Sequence, residues 1–508
     1  MASDRRTFIT SALGAAVLAG CGSDNDSASA PSTSTDASSA TVAPTTTATT
    51  TTTTVPAATT TTSHVPTMSP EPLPTNDRWW LDQNFGPVAG DLESTDLVVN
   101  GRLPNALSGT WVRNGPNPAG ESPHWFLGNA MVHGLRLSEG RAEWYRRREI
   151  ATPFAPGGRG GAVPGGEVTY SNVSSVVHGG RLLSLGEVGL PYELNVNDLS
   201  TIGAYDFDGA LTTSMTAHPK IDPQTGEMFF FGYGFRDPYL TYLVADSTGQ
   251  LQRVIPIALP APSMVHDFAI TDRSALFLDL AVVFAADEPG LPYRFDRSHQ
   301  CRLGVLDRDA VSDTTRWFDI EPCFVFHTIN AHQTGSVITY DVIRYEELWT
   351  QRSTETFPPA VPYRYSIDLD AGTVVEGPLD DRPSEFPMID QRVVGSVNTK
   401  AWGLELGGDL SAPTTSTLLQ FDADGASSSA ASFAFDAADI AGEPLFVADP
   451  DRPDEGSGWL LLVVFRATTN TSDVVVIDAQ DIASGPIATV VLPERVPFGF
   501  HASWSPLA

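Results

Sequence analysis

GSGWLLLVVFRATTNTSDVVVIDAQDI, residues 456–482, is the stretch that decides the fold. Two apolar runs rich in Val and Leu flank the polar segment ATTNT, which predicts two antiparallel strands joined by a turn. Long amphipathic helical stretches are scarce in the chain, so the sequence favours an all-β fold. Similar short β-rich runs occur in GTWVRNGPNPAG (109–120), GEMFFFGYGFRDP (226–238) and ALFLDLAVVF (275–284).

Several segments repeat one pattern of strand, turn and strand, and end in a phrase that contains Asp. Examples are HGGRLLSLGEVGLPYELNVNDLSTIG (178–203), TYLVADSTGQL (241–251) and LLQFDADGA (418–426). Repeated antiparallel units without crossover helices are typical of a β-propeller. The repeat is degenerate, and at roughly 45 to 60 residues per elaborated blade the folded part, residues 76–508, allows about seven to nine blades.

Composition limits the classes of function. The 508 residues suit one large β domain with appendages. The net charge is -31, with 30 Lys+Arg against 61 Asp+Glu, so there is no basic stripe that would displace phosphate counterions, and nucleic acid is not an expected partner. The only lysines are Lys220 and Lys400, which leaves almost no candidate for Schiff-base or P-loop chemistry.

The N-terminus, SDRRTFITSALGAAVLAGC (3–21), has the features of an export signal. Its apolar run is shorter than the roughly 20 residues that cross a bilayer. Arg5-Arg6 followed by Phe8-Ile9 resembles a twin-arginine signal, which serves proteins that fold before export, often around a cofactor. Residues 1–21 are therefore predicted to be a signal peptide, and the protein is expected outside the cytoplasm.

A lipid anchor and a tether are predicted after the signal. Leu18–Cys21 resembles a bacterial lipobox, so lipidated Cys21 would begin the mature chain and hold it at the membrane surface. The alternative is an ordinary signal peptide with an incidental cysteine. Residues 22–75 consist mainly of Ser, Thr, Ala and Pro, which predicts a disordered tether between the anchor and the folded domain.

Four well-separated histidines stand in distinctive phrases: His218 in TAHPK, His266 in MVHDF, His327 in VFHTINAH and His501 in FGFHASW. Residues this far apart can hold one metal only if the fold brings them to one point. An all-histidine set of ligands favours Fe(II), Cu or Zn over Mg or Ca. The residues alone leave the choice among these three metals open.

These four contexts resemble, in order, the iron-ligand motifs of the carotenoid cleavage oxygenase family, also called the retinal pigment epithelial membrane protein family. The resemblance extends over residues 76–508 and includes GTWVRNGPNP (109–118), HWFLGNAMVHGLRL (124–137), AHPKIDPQTGEMFFFGY (217–233) and VPFGFHASW (496–504). It implies a seven-bladed β-propeller with a few short helices capping the active-site face. It also implies one Fe(2+) ion held by four histidines from different blades, namely His218, His266, His327 and His501.

The family supports its iron ligands with three glutamates, which fix the tautomer and orientation of the imidazoles. The matching phrases here are SLGEVGLPYEL with Glu187, PSEFPMI with Glu385 and AGEPLFV with Glu443. The other histidines are expected to have other roles. His124 and His133 would serve packing or the substrate entrance, and His332 would be structural or support a ligand.

The resemblance implies oxidative cleavage of a conjugated C=C bond of a carotenoid or apocarotenoid by O2, with two carbonyl products. Such an apolar substrate needs an apolar tunnel, which aromatic and aliphatic side chains near the matched motifs could line. Each of these side chains could instead belong to the ordinary core of the propeller. The candidates for the tunnel are Trp125, Phe126, Val173, Phe326, Trp402, Phe498 and Phe500.

Two departures from the family pattern bear on the reaction. Leu127, Gly128, Asn129 and Ala130 replace the usual Asp-Gly-Asp-Gly after HWF, and Val173 stands where many cleaving members have a Thr beside the open iron site. They motivate two alternatives: a carotenoid-binding propeller without turnover, and a scaffold that uses the metal for isomerisation or hydrolysis.

A stilbene-cleaving (lignostilbene-type) dioxygenase is a further alternative. Such relatives have a Tyr before the HWF phrase and a Lys after the next strand. Here Ser122 and Pro123 precede His124, and no lysine precedes Lys220, which disfavours this function.

Cys301 and Cys323 could form a disulfide in an oxidising compartment. Two buried thiols are expected instead, because a chain that folds in the reducing cytoplasm before export does not need the bridge.

Overall fold

The computed structural model describes residues 78–118, 122, 124–153, 169–288, 291–350, 357–408, 412–422 and 427–506. The predicted signal peptide, with Cys21, and the predicted tether lie outside these residues. The described residues form 33 β-strands and five short 3-10 helices. None of the helices in this part of the chain has the length and apolar character needed to span a membrane.

The strands are short and occur throughout the described part of the chain. In chain order they are β1 Leu92–Ser94, β2 Val98–Gly101, β3 Gly109–Asn117, β4 Asn129–Ser138, β5 Arg141–Glu149, β6 Ser174–His178, β7 Arg181–Leu185, β8 Tyr192–Leu194, β9 Thr201–Ala204, β10 Lys220–Ile221, β11 Met228–Tyr233, β12 Leu240–Ala245, β13 Leu251–Ile257, β14 Ala269–Ile270, β15 Ser274–Asp279, β16 Val282–Phe284 and β17 Tyr293–Phe295. They continue with β18 Arg302–Asp307, β19 Arg316–Asp319, β20 Phe324–Thr334, β21 Val337–Tyr345, β22 Val361–Asp368, β23 Thr373–Pro378, β24 Glu385–Met388, β25 Lys400–Gly407, β26 Thr415–Asp422, β27 Ser427–Ala434, β28 Ile440–Ala441, β29 Leu445–Ala448, β30 Gly458–Arg466, β31 Thr471–Asp478, β32 Pro486–Val491 and β33 Ala502–Pro506. The 3-10 helices are Trp79–Leu81, Gln83–Phe85, Trp125–Leu127, Gln391–Val393 and Ile482–Ser484.

Seven antiparallel sheets, here called blades 1 to 7, account for all strands except the hairpin β16–β17, which is inserted in blade 4. Blade 1 contains β33, β3, β4, β5 and β1. Blade 2 contains β6–β9, blade 3 contains β10–β13, and blade 4 contains β14, β15, β18 and β19. Blade 5 contains β20–β23, blade 6 contains β24–β27, and blade 7 contains β28–β32 together with β2. The predicted all-β, seven-bladed propeller is confirmed.

The strand pair β30–β31 shows why these sequences form blades. It pairs Trp459 with Asp478 at one end and Arg466 with Thr471 at the other, and Asn470 in the turn has a positive φ of 53°, which Asn tolerates better than most residues. The residues of β30 from Gly458 to Val464 are all buried. This explains why the run reads as continuously apolar: both faces of a blade are covered, one by each neighbouring blade.

The ring is closed by strands from opposite parts of the chain. C-terminal β33 pairs with β3 in blade 1, with Arg113 opposite Ala502, while β2 pairs with β32 in blade 7. At the centre, the edge strands of neighbouring blades contact one another: β33 contacts β6 and β29, and β20 contacts β14 and β24. These inner strands position the site.

Cys301 and Cys323 are free and buried, as expected. Burial raises the pKa of the Cys301 thiol to about 12 and also raises that of Cys323. Both groups are therefore protonated at neutral pH and poorly reactive.

Candidate metal centre

The four histidines come together at the propeller axis. His218 precedes β10, His266 precedes β14, His327 lies in β20 and His501 precedes β33. Each therefore stands on or just before the inner strand of a different blade. One ring nitrogen from each histidine lies within 4.8 Å of the corresponding nitrogens of the other three.

The three glutamates stand behind three of these histidines and come from the remaining blades. Glu187 lies between β7 and β8 of blade 2, Glu385 begins β24 of blade 6, and Glu443 lies between β28 and β29 of blade 7. Each blade thus supplies one of the seven residues. The contacts are His266 Nδ1 to Glu187 Oε2 at 2.9 Å, His327 Nδ1 to Glu385 Oε2 at 2.5 Å, and His501 Nδ1 to Glu443 Oε1 at 2.8 Å.

The carboxylates are themselves held by hydrogen bonds. The Tyr233 hydroxyl donates to Glu187 Oε1 at 2.7 Å, and the Tyr345 hydroxyl donates to Glu385 Oε1 at 2.8 Å. The backbone N–H of Ala502 donates to Glu443 Oε2 at 2.7 Å. For His327 and His501 the contact is a hydrogen bond, which commits Nδ1 to the carboxylate and leaves Nε2 free for the axis. His266 Nδ1 lies close to Glu187 without the geometry of a hydrogen bond.

Lowered pKa values favour the neutral, metal-binding form of two of the four histidines, His218 and His501. Burial, reinforced by the other three histidines, holds the pKa of His218 well below its usual value, and burial also lowers the pKa of His501. For His327 the burial effect is outweighed by the charge and hydrogen bond of Glu385, so its pKa is raised. The pKa of Glu385 is correspondingly lowered, because the interactions with His327 outweigh burial.

The donor set fits a transition metal. Nε2 of His218 lies 3.0 Å from Nε2 of His266, and Nε2 of His327 is buried without a partner among the described residues. Two nitrogens at right angles, each about 2.1 Å from one ion as is usual for imidazole ligands, stand about 3 Å apart. Four such nitrogens with no oxygen donor suit Fe, Cu or Zn.

Asp267 connects three of the histidine-bearing segments from behind. Lys220 Nζ lies 2.8 Å from Asp267 Oδ1, and the N–H and hydroxyl of Thr328 both donate to Asp267 Oδ2 at 2.8 Å. These residues adjoin His218, His266 and His327 in the chain. Asp267 was not predicted from the sequence. Two signals were present: Asp267 stands directly beside a histidine in MVHDF, and AHPK contains Lys220, one of the two lysines of the chain.

Asn114 makes the equivalent connection for His501. Its N–H donates to the His501 carbonyl at 3.0 Å, and its amide nitrogen donates to the carbonyls of Ser171 and Ser174, each at 2.8 Å. The segment 171–174 is therefore fixed against the His501 segment. Sequence reasoning did not single out Asn114, and its local phrase RNGPNP gave no sign of this role.

A cavity of about 80 Å³ adjoins His266, His327 and His501, and its wall is mostly apolar. Five predicted tunnel residues line it: Trp125, Phe126, Val173, Phe326 and Phe500. The helix Trp125–Leu127 forms part of this wall, and Trp79 and Phe85 of the two preceding short helices pack against Trp125 at 5.6 and 5.2 Å between ring centres. Short helices thus cap this face, as predicted.

Two predicted tunnel residues lie elsewhere. Trp402 is fully buried, and its ring stacks on that of Phe446 with 5.1 Å between ring centres. Trp402 lies in β25, the second strand of blade 6, and its side chain packs against blade 7. Phe498 packs behind Trp125, 5.0 Å from Phe85, because its N–H donates to the carbonyl of Asn84. Neither borders this cavity, and both pack in the propeller core.

The three other histidines that were given roles from the sequence lie outside the cluster. His124 Nδ1 accepts a hydrogen bond from the Phe126 N–H at 3.0 Å and so caps the helix Trp125–Leu127. His133 Nδ1 lies 2.7 Å from the Tyr145 hydroxyl in a buried position. His332 faces Thr339 across β20 and β21.

The unusual segment 127–130 joins the helix Trp125–Leu127 to the start of β4, with Gly128 between the two elements. A Cβ added at Gly128 would lie 2.6 Å from the backbone nitrogen of Pro118, so only glycine fits. The Asn129 amide donates to Glu149 and to the Ile150 carbonyl, both at 3.1 Å. None of the four residues lines the cavity, so this departure changes the support of the wall rather than the wall itself.

Comparison with known proteins agrees with this geometry. The family model described as retinal pigment epithelial membrane protein matches residues 85–506. The carotenoid cleavage oxygenase of Mycobacterium tuberculosis (strain ATCC 25618 / H37Rv) is 34% identical over 497 residues, covering 84% of this chain and 97% of the relative. The carotenoid 9,10(9',10')-cleavage dioxygenase 1 of Arabidopsis thaliana is 32% identical over 483 residues, covering 83% and 89%.

Solved structures are similar along nearly their whole length. The Pseudomonas brassicacearum lignostilbene dioxygenase matches with a TM-score of 0.77 and 26% identity, covering 85% of this chain and 100% of that chain. The cobalt-substituted Synechocystis apocarotenoid oxygenase matches with a TM-score of 0.75 and 26% identity, covering 84% and 98%. The fold, the four-histidine cluster and these matches together show that the chain belongs to the retinal pigment epithelial membrane protein family, which includes the carotenoid cleavage oxygenases.

Proposed function

We propose that this protein is a non-haem Fe(II) dioxygenase that cleaves a conjugated C=C bond of a carotenoid or apocarotenoid. One O2 is consumed, each oxygen atom forms a C=O bond with one of the two carbons, and two carbonyl products result. The observation that carries the proposal is the convergence of four imidazoles beside an apolar cavity. The names of the relatives in Mycobacterium tuberculosis and Arabidopsis thaliana support the substrate class.

His218, His266, His327 and His501 would hold the metal, with Glu187, Glu385 and Glu443 as their supports. Ferrous iron so bound would supply the activation of O2 that the substrate alone cannot achieve, since four neutral donors leave its positive charge undiminished. The chain's own side chains would place the substrate: Trp125, Phe126, Phe326 and Phe500 would hold the polyene and exclude water. The bond next to the metal would be the bond cleaved, because position selects it.

The proposal is tested by incubating the iron-loaded full chain with carotenoids and apocarotenoids under oxygen-18 gas and identifying the products by mass spectrometry. We expect pairs of aldehydes or ketones, each with one labelled oxygen. A matched control is His332→Ala, which changes a histidine of β20 outside the cluster and should retain activity. His327→Ala should abolish it. Absence of carbonyl products from the wild-type protein would refute the proposal.

A stilbene is the second candidate substrate, because the lignostilbene dioxygenase gives a high structural similarity. The same incubation with hydroxylated stilbenes distinguishes the two classes. Cleavage of stilbenes with intact polyenes would assign the chain to this second class.

Val173 motivates a third candidate, a protein of this fold that does not cleave its ligand with O2. Val173 lines the cavity at the position where many cleaving members have Thr. A protein that binds polyene without turnover would shift the absorption of the polyene and return it intact after aerobic incubation. Turnover that continues without oxygen would indicate isomerisation or hydrolysis instead.

We also propose that the protein is exported through the twin-arginine route and anchored to the cell membrane by lipidated Cys21. Arg5-Arg6, the lipobox-like Leu18–Cys21 and the Ser/Thr-rich segment 22–75 support this. Cys21→Ser should release the protein from the membrane fraction without blocking export, and replacing Arg5-Arg6 by Lys-Lys should retain it in the cytoplasm. Unchanged membrane association of Cys21→Ser would rule out the lipid anchor.

A further inference from the structure

Asn172 contributes an amide to the mostly apolar wall of the cavity. It borders the same cavity as Trp125, Phe126 and Val173, and only 3% of the residue is exposed. A buried amide normally has partners for both its nitrogen and its oxygen. The arrangement of those partners is what distinguishes Asn172.

The amide orientation is fixed by its nitrogen. Nδ2 donates one hydrogen bond to the carbonyl of Phe126 at 2.9 Å and one to the carbonyl of Gly128 at 2.5 Å. Both N–H groups are therefore used, and a flip of the amide would place oxygen against two carbonyl oxygens. Oδ1 must face the other way, and no described residue donates a hydrogen bond to it.

The backbone around Asn172 prevents it from turning to another partner. The Val173 N–H donates to the Leu185 carbonyl at 2.9 Å, and the Val173 carbonyl accepts from the His501 N–H at 3.2 Å. The carbonyl of Ser171, on the other side, accepts from Asn114. The acceptor is thus held beside the metal-bearing segment.

Apart from the imidazoles of the metal cluster, the other polar side chains of the described cavity wall are already engaged. Glu187 and Glu385 accept from tyrosine hydroxyls and contact histidines, and the Tyr345 hydroxyl donates to Glu385. A preformed, unused acceptor in an apolar cavity selects a ligand that brings a donor to it.

We propose that Asn172 is a specificity-determining residue, and that its Oδ1 accepts a hydrogen bond from a hydroxyl group of the substrate. The proposal rests on the proposed function and narrows the substrate to a hydroxylated one. The hydroxyl is carried either by the ring of a polyene or by a phenol, and these two sources share the same chemistry towards Asn172.

Equilibrium binding tests the proposal without turnover. The iron-loaded full chain is titrated under anaerobic conditions, and quenching of tryptophan fluorescence is followed. One arm compares a ring-hydroxylated apocarotenal with its unsubstituted counterpart, and the other compares a hydroxystilbene with its methyl ether. In the arm that contains the correct class, we expect the hydroxylated ligand to bind about threefold to tenfold more tightly, the range of one neutral hydrogen bond.

Asn172→Leu should bind the two ligands of a pair with about equal affinity. Asn129→Ala is the matched control, because it removes a buried amide next to Gly128 and leaves the Asn172 acceptor in place. It should keep the preference even where both affinities fall. The role of Asn172 would be overturned if the wild-type protein bound the two ligands of each pair equally, or if Asn172→Leu retained the preference. Neither result would contradict the proposed function. Failure of the wild-type protein to bind any of the four ligands would overturn the proposed function as well.

Discussion

Glu385 shows how much one side chain contributes to the metal centre. One oxygen contacts His327 Nδ1 and accepts from the Phe386 N–H, and the other accepts from Tyr345. All three neighbours favour the ionised carboxylate, which in turn holds the imidazole with Nε2 towards the axis. The orientation of a ligand therefore depends on residues that would not touch the metal.

Glu385→Gln removes the charge while nearly keeping the shape of the side chain. We expect metal affinity to fall about tenfold to a hundredfold, as is usual when the partner of a ligating histidine is changed. Competition with a chelator of known affinity measures the loss. Glu139→Gln, on an exposed turn, is the control and should not change affinity. Equal affinity of Glu385→Gln and the wild-type protein would show that the carboxylate has no role in holding His327.

Asp267 is expected to affect stability as well as the site. It is 2% exposed, and Asp267→Ala would leave Lys220 and the Thr328 groups without their acceptor. Removing one partner of a buried ion pair costs about 3 kcal/mol. Urea unfolding should show a loss of this size, whereas exposed Asp272→Ala should change little. A loss under about 0.5 kcal/mol, the range of ordinary surface changes, would contradict the bridging role.

At the level of single residues, the sequence predicted those with a strong local phrase. The phrases of the four histidines and of Glu385 and Glu443 mark an inner strand or the segment beside it, and the Glu187 phrase marks the turn between β7 and β8. Trp402 lies away from the cavity, because an aromatic residue near a matched motif does not reveal which strand of a blade it occupies. Asn172 was not predicted, since its role depends on carbonyls 44 and 46 residues away in the chain.

The wall of the cavity depends on a short element, the helix Trp125–Leu127 and the turn that follows. Gly128 fits against the Pro118 backbone and presents its carbonyl to Asn172. Strand pairs such as β30–β31 were predictable because their apolar runs flank a turn. The pairing of β33 with β3 and of β2 with β32 was not, because these partners are hundreds of residues apart.

Gly128→Ala is predicted to displace this turn, because the new Cβ would overlap the Pro118 backbone. Overpacking of this kind costs about 1–3 kcal/mol, and thermal unfolding should show the loss. Gly377→Ala is a matched control, since its added Cβ would meet no atom within 4 Å. A Gly128→Ala protein with wild-type stability would show that the turn can move freely.

For the whole molecule, the metal centre joins distant parts of the ring. Its four histidines come from blades 1, 3, 4 and 5, and its three glutamates from the other blades. An ion held at the axis would thus bind the folded ring and not the unfolded chain. Such binding stabilises the fold by mass action.

Removal of the metal should therefore lower the thermal midpoint of the whole domain. At a free ion concentration about 100 times Kd, the stabilisation is about 2.7 kcal/mol. Anaerobic calorimetry with and without chelator measures it, and His218→Ala should show no difference between the two conditions. The same midpoint for the loaded and the chelated wild-type protein would contradict ion binding at this cluster.

The closing strand β33 follows His501 directly, so the last strand to join the ring also completes the set of ligands. Until synthesis has delivered that segment, the partly made ring has only three of the four histidines. An ion held by this cluster would then be acquired late in maturation, in the compartment where the ring closes. A chain exported in the folded state would take a metal ion from the cytoplasmic pool and carry it across the membrane already in place.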